Sequence, residues 1–178
     1  MNKKYQIIYA DPPWGAGNTT GRGLVKHYKT MKLADIWQLP LESIVDKNCV
    51  LFIWVIFPML EEGLKLIRWW GFEYKTTAFV WVKRNKASLG WFWGMGGWTR
   101  SNAELCLLAT RGNPKRLHAN IHQIIDAPVM AHSRKPDEIV RDRIVGLCGD
   151  LPRVELFARR KVDGWDSWGN EVESDIEL

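Results

Sequence analysis

Tyr5-Gln6-Ile7-Ile8-Tyr9-Ala10-Asp11-Pro12-Pro13-Trp14 is an apolar run that stops at a stiff turn. Gln6 to Ala10 predicts a buried strand. The turn after it holds one carboxylate, one backbone carbonyl and one large aromatic face. Proline locks φ and has no N–H, so the turn is rigid and offers only acceptors there. This equipment suits a planar base with an exocyclic amine: Asp11 and the Pro12 carbonyl each accept a hydrogen, and Trp14 stacks on the ring. The same residues also make an ordinary strand-ending turn. Their place after a buried strand favours the binding reading, because open α/β sheets bind ligands at the carboxyl ends of their strands.

Outward from that corner, strands and helices alternate. Met31–Gln38 predicts a short helix capped by Thr30. Val50–Ile56 is a continuous β-branched run, hence a central strand. Pro58 suits the first position of a helix whose inner face holds Leu60, Leu64 and Ile67, with Gly71 ending it. Thr76–Val82 and Glu104–Thr110 predict two more strands, and the stretch to Ala131 reads as irregular. Pro136 starts a helix with Asp137 and Glu138 in its first turn, where the helix dipole favours acids. Its buried stripe is Val140, Ile144, Leu147 and Cys148. Arg153–Arg159 predicts the last strand. The expectation is an α/β sandwich with a mainly parallel sheet, folded as a single domain over residues 1–178.

Composition narrows the class. With 46% hydrophobic and 25% charged residues the chain is globular rather than disordered. A net charge of +5 fits a nucleic-acid partner without requiring one. Three widely spaced cysteines, Cys49, Cys106 and Cys148, give neither a disulfide framework nor thiolate metal spacing, so a reducing cytoplasm is expected. The longest apolar run, Val50–Leu60, contains Pro58 and is too short to span a bilayer, so no membrane association is expected. His118 and His122 stand four apart, but no third ligand accompanies them and no metal site is expected. Eleven tryptophans are the unusual feature, and several lie among glycines in Trp91–Arg100. That loop interleaves aromatics with Arg84, Lys86 and Arg100. Such a mix suits nucleic acid, with cations on phosphates and Trp98 and its neighbours on bases, or else a hydrophobic plug or dimer contact.

Three ordered segments carry a resemblance. They are Asp11-Pro12-Pro13-Trp14, Ser133-Arg134-Lys135-Pro136-Asp137-Glu138, and Glu155-Leu156-Phe157-Ala158-Arg159 leading to Gly164-Trp165 and Trp168-Gly169-Asn170-Glu171. Together they resemble the adenine-N(6) methyltransferase family that includes the eukaryotic messenger-RNA adenosine methylase catalytic subunit and small bacterial and phage DNA methylases. Trp81-Val82-Lys83, Cys106-Leu107 and Gly112-Asn113-Pro114 sit where that family has similar residues. The resemblance implies a Rossmann-like methyltransferase sandwich in permuted order, catalytic motif before cofactor strand, with S-adenosylmethionine as donor. It further implies a bacterial or phage setting, hence a cytoplasmic location, with DNA favoured over RNA. The upstream segment that helps hold the cofactor's adenine in larger relatives is expected to be missing. No separate target-recognition domain is expected, so specificity falls to loops or to a homodimer partner, or is low.

Residue by residue, the resemblance implies catalytic roles for Asp11, Pro12, Pro13 and Trp14. It implies cofactor contacts from Asp11, Ser133, Lys135, Glu155, Phe157, Arg159, Asn170 and Glu171. Lys135 precedes a helix and would hold the methionine carboxylate; Asn170 and Glu171 would bind ribose hydroxyls, as an amide and a carboxylate suit. Glu155, an acid within an apolar strand, needs a partner: it buttresses Lys135, touches the cofactor, or makes a structural ion pair. Phe157 is pocket wall or core. Tyr28 resembles a position near the target base; Arg84, Lys86, Trp98 and Arg100 complete the substrate-binding set. A chain that has lost catalysis and supports an active partner is the alternative, though such chains usually lose the acid that Asp11 preserves here. A cytosine amine or a protein glutamine amide as acceptor usually goes with Ser or Asn first and Tyr last in the turn.

Overall fold

A computed structural model describes residues 3–14, 31–130 and 134–178. Its elements are β1 (Tyr5–Ala10), α1 (Leu33–Trp37), β2 (Val45–Val55), α2 (Leu60–Trp69), β3 (Glu73–Arg84), β4 (Ala103–Arg111), β5 (Ile124–Pro128), α3 (Asp137–Cys148), β6 (Arg153–Leu156) and β7 (Asp166–Trp168). They form one seven-stranded sheet in the order β5-β3-β4-β2-β1-β6-β7. Only β4 runs against the rest, pairing antiparallel with β2 and β3. The pairs β1–β2, β1–β6, β3–β5 and β6–β7 are parallel, so the mainly parallel sheet expected from the sequence is present.

Residues 7–10 of β1 and 49–55 of β2 are apolar without a break because helices cover both faces. Successive side chains on a strand point to opposite faces. Ile8 and Ala10 of β1, with Leu51, Ile53 and Val55 of β2, join a core closed by Ile36 of α1 and Leu66 and Ile67 of α2. Ile7 and Tyr9, with Val50, Phe52 and Trp54, join a second core closed by Val140, Ile144 and Cys148 of α3. Buried parallel strands read as continuous hydrophobic runs for this reason. The chain leaves β1 toward β2 on one side and returns through α3 to β6 on the other. A crevice therefore opens beyond the carboxyl ends of β1 and β6, at the point where the strand order switches.

Four local readings are corrected. The stretch before Ala131 is not wholly irregular: β5 pairs with β3 and buries Ile125 and Ala127, a signal too short to read as alternation beside Asp126 and Pro128. The last long strand ends at Leu156 rather than Arg159, because Phe157 takes a φ of 62° and leaves the extended conformation. Pro58 lies in a 3-10 turn, Phe57–Met59, that leads into α2. Leu147 is only half-buried, and the α3 stripe instead includes the charged Arg141. The Thr30 cap lies outside the described residues. Among the described residues no helix is long and apolar enough to cross a membrane.

Candidate active site

The corner after β1 is held from within. The Trp14 N–H donates to the Pro12 carbonyl at 2.8 Å, closing the turn. The Trp14 indole Nε1 donates to the Trp54 carbonyl at 2.8 Å, and nine-tenths of the side chain is buried in the core. Trp54 Nε1 in turn donates to the Tyr9 hydroxyl (2.7 Å), which donates to Asp137 Oδ1 (2.7 Å). Trp14 thus works first as an anchor, with only a tenth of its surface left outside. The Pro12 carbonyl keeps a second lone pair for another donor.

Four charged side chains run in a line from this corner. Asp11 Oδ1 lies 3.1 Å from Lys135 Nζ, which lies 2.9 Å from Glu104 Oε2, and Glu104 Oε1 accepts from Lys83 Nζ. Lys83, Glu104 and Lys135 are each at least nine-tenths buried. Burial raises the Asp11 pKa; Lys135 opposes this, and Glu104 and Asp137 reinforce it. Glu104 is also penalised by burial, but Lys135 and Lys83 hold its pKa below the ordinary value. Burial disfavours the Lys135 charge, and the two carboxylates outweigh burial and raise its pKa. Stability alone is a weak reason to keep such a cluster, because desolvation of buried ions offsets most of their attraction. Buried ionisable groups with opposed shifts beside a cleft make a candidate functional site.

Lys83, Glu104, Asp137 and Arg141 are site residues that the sequence does not single out as such. Glu104 carried the same signal as Glu155, an acid inside an apolar strand. Lys83 carried none beyond its place next to Trp81-Val82.

The cleft at the switch point is lined by Asp11, Arg134, Lys135, Asp137, Arg141, Glu155, Phe157, Arg159 and Arg160. Glu155 does not buttress Lys135. It pairs with Arg141 of α3, accepting from Nε at 2.8 Å and Nη2 at 3.1 Å. Arg141 Nη1 stays buried with no hydrogen-bond partner among the described residues, so the cleft holds an unused donor. Phe157 sits edge-on to Trp168, ring centroids 5.4 Å apart. At Gly169 an added Cβ would lie 2.3 Å from the Ala158 carbonyl, so the chain can pass close to the end of β6 only without a side chain there. Arg159 reaches Glu171 at 3.8 Å, and Asn170 and Glu171 are exposed beyond β7. Carboxylates, guanidinium donors and an aromatic wall at one cleft suit a polar ligand bearing both charges. Ser133 and Tyr28 lie outside the described residues.

The structure does not gather the expected substrate-binding residues around Asp11. Arg84 is committed elsewhere: Nε and Nη2 each donate to Asp126 at 2.7 Å, and its guanidinium lies 3.6 Å from the Trp91 ring centroid. Lys86, Trp98 and Arg100 are exposed on the β3–β4 loop, residues 85–102. β3 runs in the same sense as β1, so this loop rises from the same edge of the sheet as the Asp11 corner. His118 and His122 are exposed and not helical, and no metal-binding group of side chains occurs among the described residues.

Comparison with known proteins adds lineage to this geometry. The MT-A70 family model matches residues 5–171. The chain is 35% identical to the type II methyltransferase M.MunI of Mycoplasma sp., over 96% of this chain and 78% of that one. It is 30% identical to the N(6)-adenosine-methyltransferase MT-A70-like protein of Drosophila melanogaster. It is 29% identical to the N(6)-adenosine-methyltransferase subunit METTL3 of Danio rerio. Both alignments take in 96% of this chain, which spans 27% and 28% of those longer proteins.

Proposed function

The chain belongs to the MT-A70 family, and we propose that it transfers a methyl group from S-adenosylmethionine to the exocyclic N(6) amine of adenine in DNA. The observation that carries this reading is Asp11, held at the rim of the cleft by Lys135, beside a Pro12 carbonyl with a spare lone pair. DNA ranks ahead of RNA because the alignment with a type II methyltransferase spans most of both chains, whereas the adenosine methyltransferases are matched over about a quarter of their length.

An aromatic amine is a poor nucleophile because its lone pair is delocalised into the ring. Asp11 and the Pro12 carbonyl each accept one of its hydrogens and turn the lone pair out of conjugation. The exposed remainder of Trp14 meets the ring. S-adenosylmethionine supplies an already activated methyl on a sulfonium, so the protein's contribution is placement, worth roughly 7–11 kcal/mol when reactants are well oriented. Asp137 and Glu155 suit the cationic end of such a donor, Arg141 and Lys135 its carboxylate, and Asn170 and Glu171 its ribose. A target inside a duplex must first be extruded, at a cost of about a few kcal/mol.

Labelled donor should deliver methyl groups to adenine-containing DNA oligonucleotides and none to adenine-free ones. The Asp11→Asn variant should lose about a hundredfold or more in rate, the scale set by removing one oriented polar group from a site, while still binding donor by calorimetry. Equal incorporation with and without adenine would refute the assignment. An RNA arm in the same assay ranks the two nucleic acids.

A further inference from the structure

The β3–β4 loop holds Leu89, Trp91, Trp93, Met95 and Trp98 toward solvent, Trp98 completely and Trp93 at 69% exposure. This is not slack chain. Asn85 N–H donates to the Gly90 carbonyl (3.1 Å), Phe92 N–H to the Lys83 carbonyl (2.9 Å) and Asn85 Nδ2 to the Trp91 carbonyl (3.1 Å). The Arg84 pair with Asp126 pins the loop's base. The two limbs fold against each other so closely that a Cβ on Gly94 would lie 2.1 Å from the Ser101 carbonyl, and one on Gly96 1.9 Å from that of Thr99. A loop with this much internal structure presents its tryptophans pre-organised, which lowers the entropy cost of binding. Several large apolar side chains exposed on one loop suit an interaction surface.

Charge selects the partner. Residues 84–103 contain three cations and no acid. Arg84 is neutralised by Asp126, which leaves Lys86 and Arg100, and the Arg100 guanidinium lies 4.3 Å from the Trp93 ring centroid. Two copies of this loop meeting face to face would oppose like charges. A chain of phosphates carrying flat rings matches both the cations and the indoles. Base–indole stacking tolerates any sequence but needs an unpaired base face.

We propose that Trp93 and Trp98 are stacking platforms for unpaired nucleobases flanking the target, so that this loop binds single-stranded nucleic acid in preference to duplex. That the stacked bases flank the target rests on the methyltransferase reading; the binding itself does not. The test therefore uses a fluorescein-labelled 20-nucleotide strand of dT and dC, with no adenine and no donor present, against a blunt-ended G·C duplex at the same salt. Fluorescence anisotropy on the full chain should show tighter binding to the single strand. Trp93→Ala and Trp98→Ala should each weaken single-strand binding roughly tenfold, the scale of one lost stack, and leave duplex binding unchanged. Trp98→Phe should restore most of the loss. Equal affinity for both probes, or alanine variants that bind the single strand as well as the parent, would overturn the proposal. So would a sedimenting dimer that Trp98→Ala converts to monomer, which would make the loop a surface for a second copy.

Discussion

At Asp11 the carboxyl is pulled both ways: burial and the neighbouring Glu104 and Asp137 raise its pKa, and Lys135 opposes them. Only the ionised form offers every oxygen as an acceptor to an amine. Methyl transfer should therefore fail as pH falls, and the acid limb of the rate profile should lie above the ordinary aspartate value of about 3.9. Glu104→Gln removes one negative neighbour and one competitor for Lys135. Both changes favour ionised Asp11, so the limb should move to lower pH. A limb that moves upward would show that Glu104 does not act on Asp11 through charge. The measurement is kcat against pH for parent and variant.

Among the elements, α2 shows how closely the layers approach the sheet. A Cβ added at Gly63 would sit 2.8 Å and 3.0 Å from the two methyls of Val55, which is fully buried on β2. Alanine in place of a helical glycine normally gains about 1 kcal/mol. Overpacking a filled core costs about 1–3 kcal/mol. The second effect should win, so Gly63→Ala should be destabilising by about 1 kcal/mol in urea unfolding. Placing Val55→Ala beside it opens the space, and Gly63→Ala should then become neutral or stabilising. A stabilising single variant would mean that α2 shifts freely. The turn after β6 shows strain of another kind. Phe157 holds a left-handed φ that non-glycine residues rarely adopt, at the end of the strand that borders the cleft. Such outliers persist where surrounding structure overdetermines them, and they cluster at ligand sites.

For the molecule as a whole, the carboxy-terminal segment closes the sheet edge at β7. Asp175 accepts from the Ser167 N–H and hydroxyl and pairs with Lys161, while Ile176 and Leu178 pack on the core. The Lys161 and Ser167 hydrogen bonds hold the Asp175 pKa at about 2. A depressed carboxyl pKa contributes stability that is complete above the unfolded value of about 3.9 and is lost as pH falls through the folded one. Thermal unfolding followed from pH 5 to pH 2 should show Asp175→Asn less stable than the parent at pH 5, with the gap closing toward pH 2. A gap independent of pH would assign the loss to packing of the tail instead of its charge.

Sequence alone determined the alternation of strand and helix, the two-sided burial of β1 and β2, and the stiff turn at Asp11-Pro12-Pro13-Trp14 that ends β1. Each of these is written locally: apolar runs set the strands, and proline sets the turn. Tertiary structure decided which charges meet. Lys83, Glu104, Lys135 and Asp11 lie on four segments spread over 125 positions, and only the folded sheet brings them into line. It also assigned Glu155 to Arg141 rather than Lys135, and Arg84 to Asp126 rather than to an open surface. The physical reason is common to all of them. A charged side chain's partner is fixed by strand order and helix placement, and neither is encoded in the residues beside it.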